Sequence, residues 1–332
     1  MKFHGKLLSA ALCGLLTLSC VGCNGGDTGK DGTKVPTVGI VQYMDHVALD
    51  GARQGFIRAL AENGYKDGET VKIDYKNAQG DSTNLGTISD GFVSDKVDLV
   101  LAIATPAVES VASKTTTIPI LGTAVTDYSE LVKSEEKPGV NISGTSDLAS
   151  IKDQIAMLQK LVPNAKTVGV LYTSSENNSI IQAGLAKEAI EAAGMSYVER
   201  TVSNANEVQQ ATEAICSECD AIYVPTDNTF ATAMSIASEI ANSKKIPTIV
   251  GESGMVTKGG LATVGIDYDK LGYQTGLMAV KILKGEAKVE EMPIEWQTEF
   301  AYEINKETAE RIGITIPEEF QSYLKTYSEA AQ

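Results

Sequence analysis

Histidine is nearly missing from these 332 residues: His4 and His46 are the only two. A metal centre built on imidazoles has no ligand set, and no H-E-x-x-H stretch exists. Cysteine is almost as scarce. Of five, Cys13, Cys20 and Cys23 fall in the first 23 residues, leaving Cys216 and Cys219 beyond. Their C-x-x-C spacing lacks a second pair and a nearby histidine, so it reads as a buried thiol pair or a local disulfide at a helix end, not a redox or zinc site. A G-x-S-x-G elbow is also missing, and the run GKDGTK at 29–34 lacks the strand and helix that a phosphate loop requires. These absences argue against an enzyme and leave no site for a metal or cofactor. Positive charge is in deficit too: 28 lysines and arginines stand against 43 acids, for a net charge of −15. So acidic a chain is a poor nucleic-acid binder.

Long apolar runs are missing except at the start. Residues 1–6 carry two lysines, and 7–18 are apolar over the length of a signal segment, too short for a mature membrane span. Gly22 before Cys23 suits a lipoprotein processing site, with Cys20 as a competing cut. The expectation is a leader over 1–22, lipidation at Cys23 and a polar tether over 23–35 that holds the remaining chain at the outer face of a membrane.

What fills the rest is alternation. Short β-branched runs such as TVGIVQY and DLVLAIAT alternate with amphipathic segments, the pattern of parallel strands joined by crossover helices. The chain then repeats itself. TVGVLYTSSENNSIIQAGLAKEAIEAAGM from residue 167 echoes TVGIVQYMDHVALDGARQGFIRALAENGY from residue 37. CDAIYVPTDN likewise mirrors VDLVLAIATP, and KIPTIVGESG mirrors TIPILGTAVT. Two similar α/β lobes follow, Rossmann-like and joined by several crossing segments. The first is expected over 36–145 plus about 270–293, the second over 146–269 plus about 294–325. In such sheets ligands sit beyond the carboxyl ends of the strands, which makes the strand-to-helix loops the binding surface.

The strings VALD, NAQGD, AIATPA, VTD, YTSSENNS, VPTDN and GIDYDKLGYQTG, behind a lipoprotein-type leader, resemble the solute-binding lipoproteins of bacterial ABC importers. More narrowly they resemble the branch with a type I periplasmic-binding fold that includes tryptophan and other aromatic amino-acid binders, from about residue 37 to 317. The resemblance implies a monomer that captures a small solute between hinged lobes and delivers it to a permease served by a separate ATPase. A sensing receptor of the same fold, or a binder of a sugar or nucleoside, is the rival reading. Val47 and Tyr128 depart from prolines common in the branch, and both are expected to border the cleft.

The loops supply the candidate binding residues. Thr105 and Pro106 open a helix whose free amides suit a carboxylate, with a simple N-cap role for Thr105 as the bland alternative. Asp227 and Asn228 occupy the matching loop of the second lobe, where Asp227 could meet an ammonium or merely cap. Gln42, Tyr43, His46 and Asp50 follow the first strand, and Tyr172, Ser174, Glu176, Asn177 and Asn178 follow its counterpart. Thr126, Asp127, Glu252, Asp267 and Tyr268 complete the set at other strand ends. Tyr43, Tyr172 and Tyr268 could wall an aromatic ligand, although core packing is the default for tyrosine.

Overall fold

The computed structural model describes residues 35–327. The leader, Cys20 and Cys23 lie outside the described residues. From Thr37 the chain forms β1 (Thr37–Gln42), α1 (Val47–Glu62), β2 (Lys72–Asn77), α2 (Ser82–Asp95), β3 (Leu99–Ile103), α3 (Thr105–Ala112), β4 (Ile120–Val125) and β5 (Ile142–Ser146). It crosses over through α4 (Ile151–Leu161) and repeats the theme. The second series is β6 (Thr167–Thr173), α5 (Asn177–Ala192), β7 (Ser196–Val202), α6 (Val208–Ile215), β8 (Ala221–Val224), α7 (Asn228–Ser243), β9 (Thr248–Val250), α8 (Ser253–Thr257) and β10 (Ala262–Gly265). It then returns along α9 (Tyr268–Leu283) and β11 (Glu295–Trp296), and ends with β12 (Ala301–Asn305), α10 (Lys306–Ile312) and β13 (Leu324–Lys325).

The strand order is β11-β5-β4-β3-β1-β2 in one sheet and β13-β12-β10-β9-β8-β6-β7 in the other. The repeat in the sequence is thus a repeat of topology, with β1 and β6 in equivalent places. Pairing is parallel except between β10 and β12. The central strands β3 and β4 are fully buried and mostly apolar because helices cover both faces of the sheet. Gln42 stands level with Asn77 and Ile103 in the register, so the loops after β1, β2 and β3 emerge along one edge. The final crossing segment differs in detail from its expected place. Glu295 and Trp296 pair with Thr145 and Ser146 of the first sheet, and Trp296 is exposed. Tyr128 also departs from expectation: it is wholly buried, its hydroxyl donating to the Thr145 carbonyl at 3.0 Å, and it does not border the cleft. Cys216 and Cys219 are free thiols, their pKa values raised by burial, to about 12 for Cys219.

One helix pair fixes the architecture. α1 carries Gly51 and Gly55, α9 carries Gly272 and Gly276, and this matched four-residue spacing brings the two backbones together. A Cβ at Gly272 would run into the Ala52 carbonyl and one at Gly55 into the Asp269 carbonyl, while one at Gly276 would meet the Ala59 Cβ at 2.6 Å. Leu49, Phe56, Leu60, Leu271 and Met278 pack in the core around the contact. Helix α9, which follows the second lobe in sequence, is thereby locked into the first.

Gly272→Ala should lower stability by about 1–3 kcal/mol or more, several degrees in melting temperature, because the obstacle is rigid backbone. Gly86→Ala in α2, where a Cβ meets nothing within 4 Å, should be neutral or stabilising. Thermal melts of the two variants compare them, and equal melting temperatures would disprove the close-packing account.

Candidate functional site

The carboxyl ends of the two sheets face each other across a seam. Toward its outer side lies a cleft of about 830 Å³, lined by Tyr43, Gln79, Pro106 and Glu109 from the first lobe and by Ser175, Asn204, Thr229 and Thr232 from the second. Toward the hinge lies a narrow cavity of only about 10 Å³, lined among others by His46, Ala124, Thr126, Asp147, Asn178, Asp227, Glu252 and Tyr268. Three hydrogen bonds tie the lobes across the seam. His46 Nε2 meets Asn228 Oδ1 at 3.2 Å, Gln182 Nε2 donates to Thr126 Oγ1 at 2.9 Å, and Asn177 Nδ2 donates to Glu109 Oε1 at 2.7 Å.

The first turn of α7 organises the second lobe's side of this seam. Asp227 is its N-cap, accepting from Phe230 N at 2.8 Å and also from Thr173 N and Oγ1. Glu176 stands at the N-cap position of α5 but makes no side-chain cap there. It turns to α7 instead, accepting from the amides and side chains of Asn228 and Thr229. His46, at the equivalent position of the first lobe, leaves α1 uncapped in the same way and also reaches α7. Three helix-start amides, of Asn228, Thr229 and Phe230, and their dipole thus hold two buried carboxylates side by side. The capping role weighed for Asp227 is present, and both its oxygens are occupied by protein donors.

The two remaining buried acids are less engaged. Asp147 accepts only hydroxyls near the cavity, Thr126 Oγ1 at 3.2 Å and Tyr268 OH at 2.8 Å, and Glu252 caps α8 through Gly254 N. Burial pushes Asp147 up to about 6 and Glu252 up to about 7; burial and then the Glu176 charge push Asp227 up to about 7. Burial lowers His46 to about 4, so its ring is neutral. Tyr43 is raised to about 12, chiefly by burial and then by Glu176 and Asp227.

On the first lobe, α3 begins at Thr105 with Pro106 next, and Ala104 is its N-cap. The N-cap role considered for Thr105 therefore falls to Ala104, which offers no side chain for it; the Thr105 hydroxyl is buried and unpartnered. Ala104 and Ala124 hold φ of +83° and +56°, strained for alanine, and both sit where strands reach the seam.

Not every candidate converges. Tyr172 faces β7, donating to Glu199, and Ser174 is exposed beside Val202. Asp267 is exposed at the start of α9, and Asp127 caps a turn at Ser129. Asp50 pairs with Arg53 and with Gln42, whose amide braces the loop after β1. Asp147, Gln182 and Thr226 are the residues the sequence reading missed. Asp147 lies in the connection from β5 to α4, where the chain crosses between the lobes, and Gln182 lies inside α5. Among the described residues no cluster of three or more metal-binding side chains occurs, and no helix is long and apolar enough to cross a membrane.

The buried acids and His46 pull stability in opposite directions. A raised carboxyl pKa contributes stability that is complete below its unfolded value near 4 and lost as pH rises through its folded value. For Asp147 that window is about 4 to 6, and for Asp227 and Glu252 about 4 to 7. His46, lowered, contributes above its unfolded value near 6.5, and this is lost as pH falls toward 4. Three groups outweigh one, so the melting temperature of the ligand-free chain should fall from pH 5 to pH 7.5. Glu252→Gln, which keeps an acceptor for Gly254, should flatten that slope; an unchanged slope would remove Glu252 from the account.

Residues 37–326 match the family described as ABC transporter substrate binding protein. The chain is 42% identical to the tyrosine-binding protein of Clostridioides difficile (strain R20291), over 93% of its own length and 92% of that protein's. It resembles a Streptococcus pneumonia ABC domain solved with L-Trp, with TM-score 0.84, 39% identity and coverage of 88% and 99% of the two chains. Against a ligand-free, open substrate-binding protein from Clostridium difficile, at 44% identity and the same coverages, the TM-score is 0.69. The lower overlap at higher identity puts these lobes nearer the ligand-bound arrangement. A leucine-binding protein from Thermotoga maritima shares the fold at 13% identity and TM-score 0.61. With two parallel-sheet lobes closing on a polar seam, and a family match spanning nearly all the described residues, the chain belongs to the ABC transporter substrate-binding proteins, non-enzymatic components that capture a small solute.

Proposed function

We propose that this chain captures an aromatic amino acid, tyrosine or tryptophan, outside the cytoplasm and presents it as a monomer to the permease of an importer driven by a separate ATPase. The observation that carries the reading is the two-ended chemistry of the seam. The uncapped start of α3, with the unpartnered Thr105 hydroxyl, suits a carboxylate. The acid-lined inner cavity suits an ammonium, which in a buried site requires strong acceptors. The outer cleft, walled in part by Tyr43 and Pro106, has space for a ring. The tyrosine-binding and L-Trp-bound relatives support the same ligand class. Lipidation at Cys23 completes the reading by tethering the lobes to the membrane surface.

Calorimetric titration of the chain with tyrosine, tryptophan, phenylalanine, leucine and glutamine tests the ligand class. An aromatic amino acid should bind at least roughly tenfold tighter than the aliphatic and amide controls. A sugar or purine binding where no amino acid does would overturn the proposal. Intact-mass analysis of membrane-extracted protein should find an acylated Cys23 at the amino terminus; Cys23→Ala should leave the chain unanchored with its affinity intact.

A further inference from the structure

The inner cavity contains two unpartnered polar atoms, and both are acceptors. His46 is 8% exposed and Asn178 4%, and each lines the cavity. Asn228 Nδ2 donates to Glu176 at 2.7 Å, which leaves Asn228 Oδ1 facing His46 and assigns the ring proton to Nε2. His46 Nδ1 therefore presents a lone pair, and it has no partner. Asn178 spends its amide nitrogen on Glu176, Ser179 and the Thr226 carbonyl, so its unpartnered Oδ1 is an acceptor too. Asp147 adds a carboxylate whose partners are two hydroxyls. The nearby cation Lys258 points its ammonium at the Ala231 carbonyl, 2.6 Å away. The space, about 10 Å³, fits one group the size of water. An ammonium has that size, three donors and the complementary charge; a guanidinium is too large.

We propose that His46 Nδ1, Asn178 Oδ1 and the Asp147 carboxylate form the pocket for the primary ammonium group of the bound solute, which makes His46 a determinant of specificity for amines. This deepens the amino-acid reading and rests on it. It also shifts the ammonium away from Asp227, whose oxygens already serve α7. The neutral ring of His46 then performs two separable tasks: Nε2–H bridges to the second lobe, and Nδ1 accepts from the ligand.

Two substitutions in the full chain separate the tasks. In His46→Gln the side-chain amide can replace Nε2 and keep the bridge to Asn228 while Nδ1 is lost. In His46→Asn the amide oxygen can replace Nδ1 while the bridge is lost. The probes are tyrosine and 3-(4-hydroxyphenyl)propionate, its analogue without the amine, titrated into each variant with thermal melts to confirm folding. Wild type should prefer tyrosine, and His46→Gln should weaken tyrosine by about 10- to 100-fold while leaving the analogue's weak binding unchanged. His46→Asn should keep the preference for the amine. Equal binding of tyrosine and the analogue to wild type would mean that the cavity holds a water, and would overturn the proposal. So would a folded His46→Gln that retains the full preference. If leucine binds and tyrosine does not, the aromatic reading fails, and leucine against 4-methylpentanoate decides the role of His46 by the same criteria. Binding of no amine-bearing solute overturns both.

Discussion

The contact on which the rest of the structure depends is the approach of α1 to α9 through paired glycines. Backbone against backbone leaves no side chain to yield, so the contact sets a distance that neither helix can adjust. Its consequences reach the seam because of what each helix carries at its start. His46 precedes α1, and Tyr268 opens α9 with its hydroxyl on Asp147. A packing constraint in the first lobe therefore positions two walls of the inner cavity, although the residues concerned are more than 200 positions apart in sequence.

Duplication explains the other half of the site. His46 and Glu176 occupy equivalent positions after β1 and β6, both buried, both turned away from their own helices and toward the first turn of α7. One is a neutral base and the other an acid. A symmetric scaffold has thus acquired an asymmetric lining, which matches the unlike ends of the proposed solute.

The topology was legible because it rests on local patterns: central strands such as β3 and β8 are apolar throughout, and the repeat in the letters is a repeat in the strand order. Positions just beyond strand ends, such as Thr105, Asn178, Glu252 and Tyr268, were legible for the same reason, since parallel strands deliver the connections that follow them to one edge. What each loop residue does was less legible. Whether Asp227 serves a ligand or a helix depends on Thr173 and Ser179, which approach it only in the folded lobe. Asp147 and Gln182 stayed hidden because one lies in a crossing segment and the other in a helix interior, and only the closing of the seam brings them together. Tyr172 and Tyr128 misled because nothing in the local pattern tells which face of the sheet, or which layer, a tyrosine will occupy.

Closing this seam confines acidic groups in a space whose unpartnered polar atoms, on His46 and Asn178, are acceptors. In the empty protein that arrangement penalises the shut state, since desolvated carboxylates are left without a counter-charge. A solute that brings the missing donors shifts the equilibrium by the difference in its affinity for the two states. On the proposed reading the solute's ammonium supplies those donors, so the same feature would tie closure of the lobes to the presence of cargo.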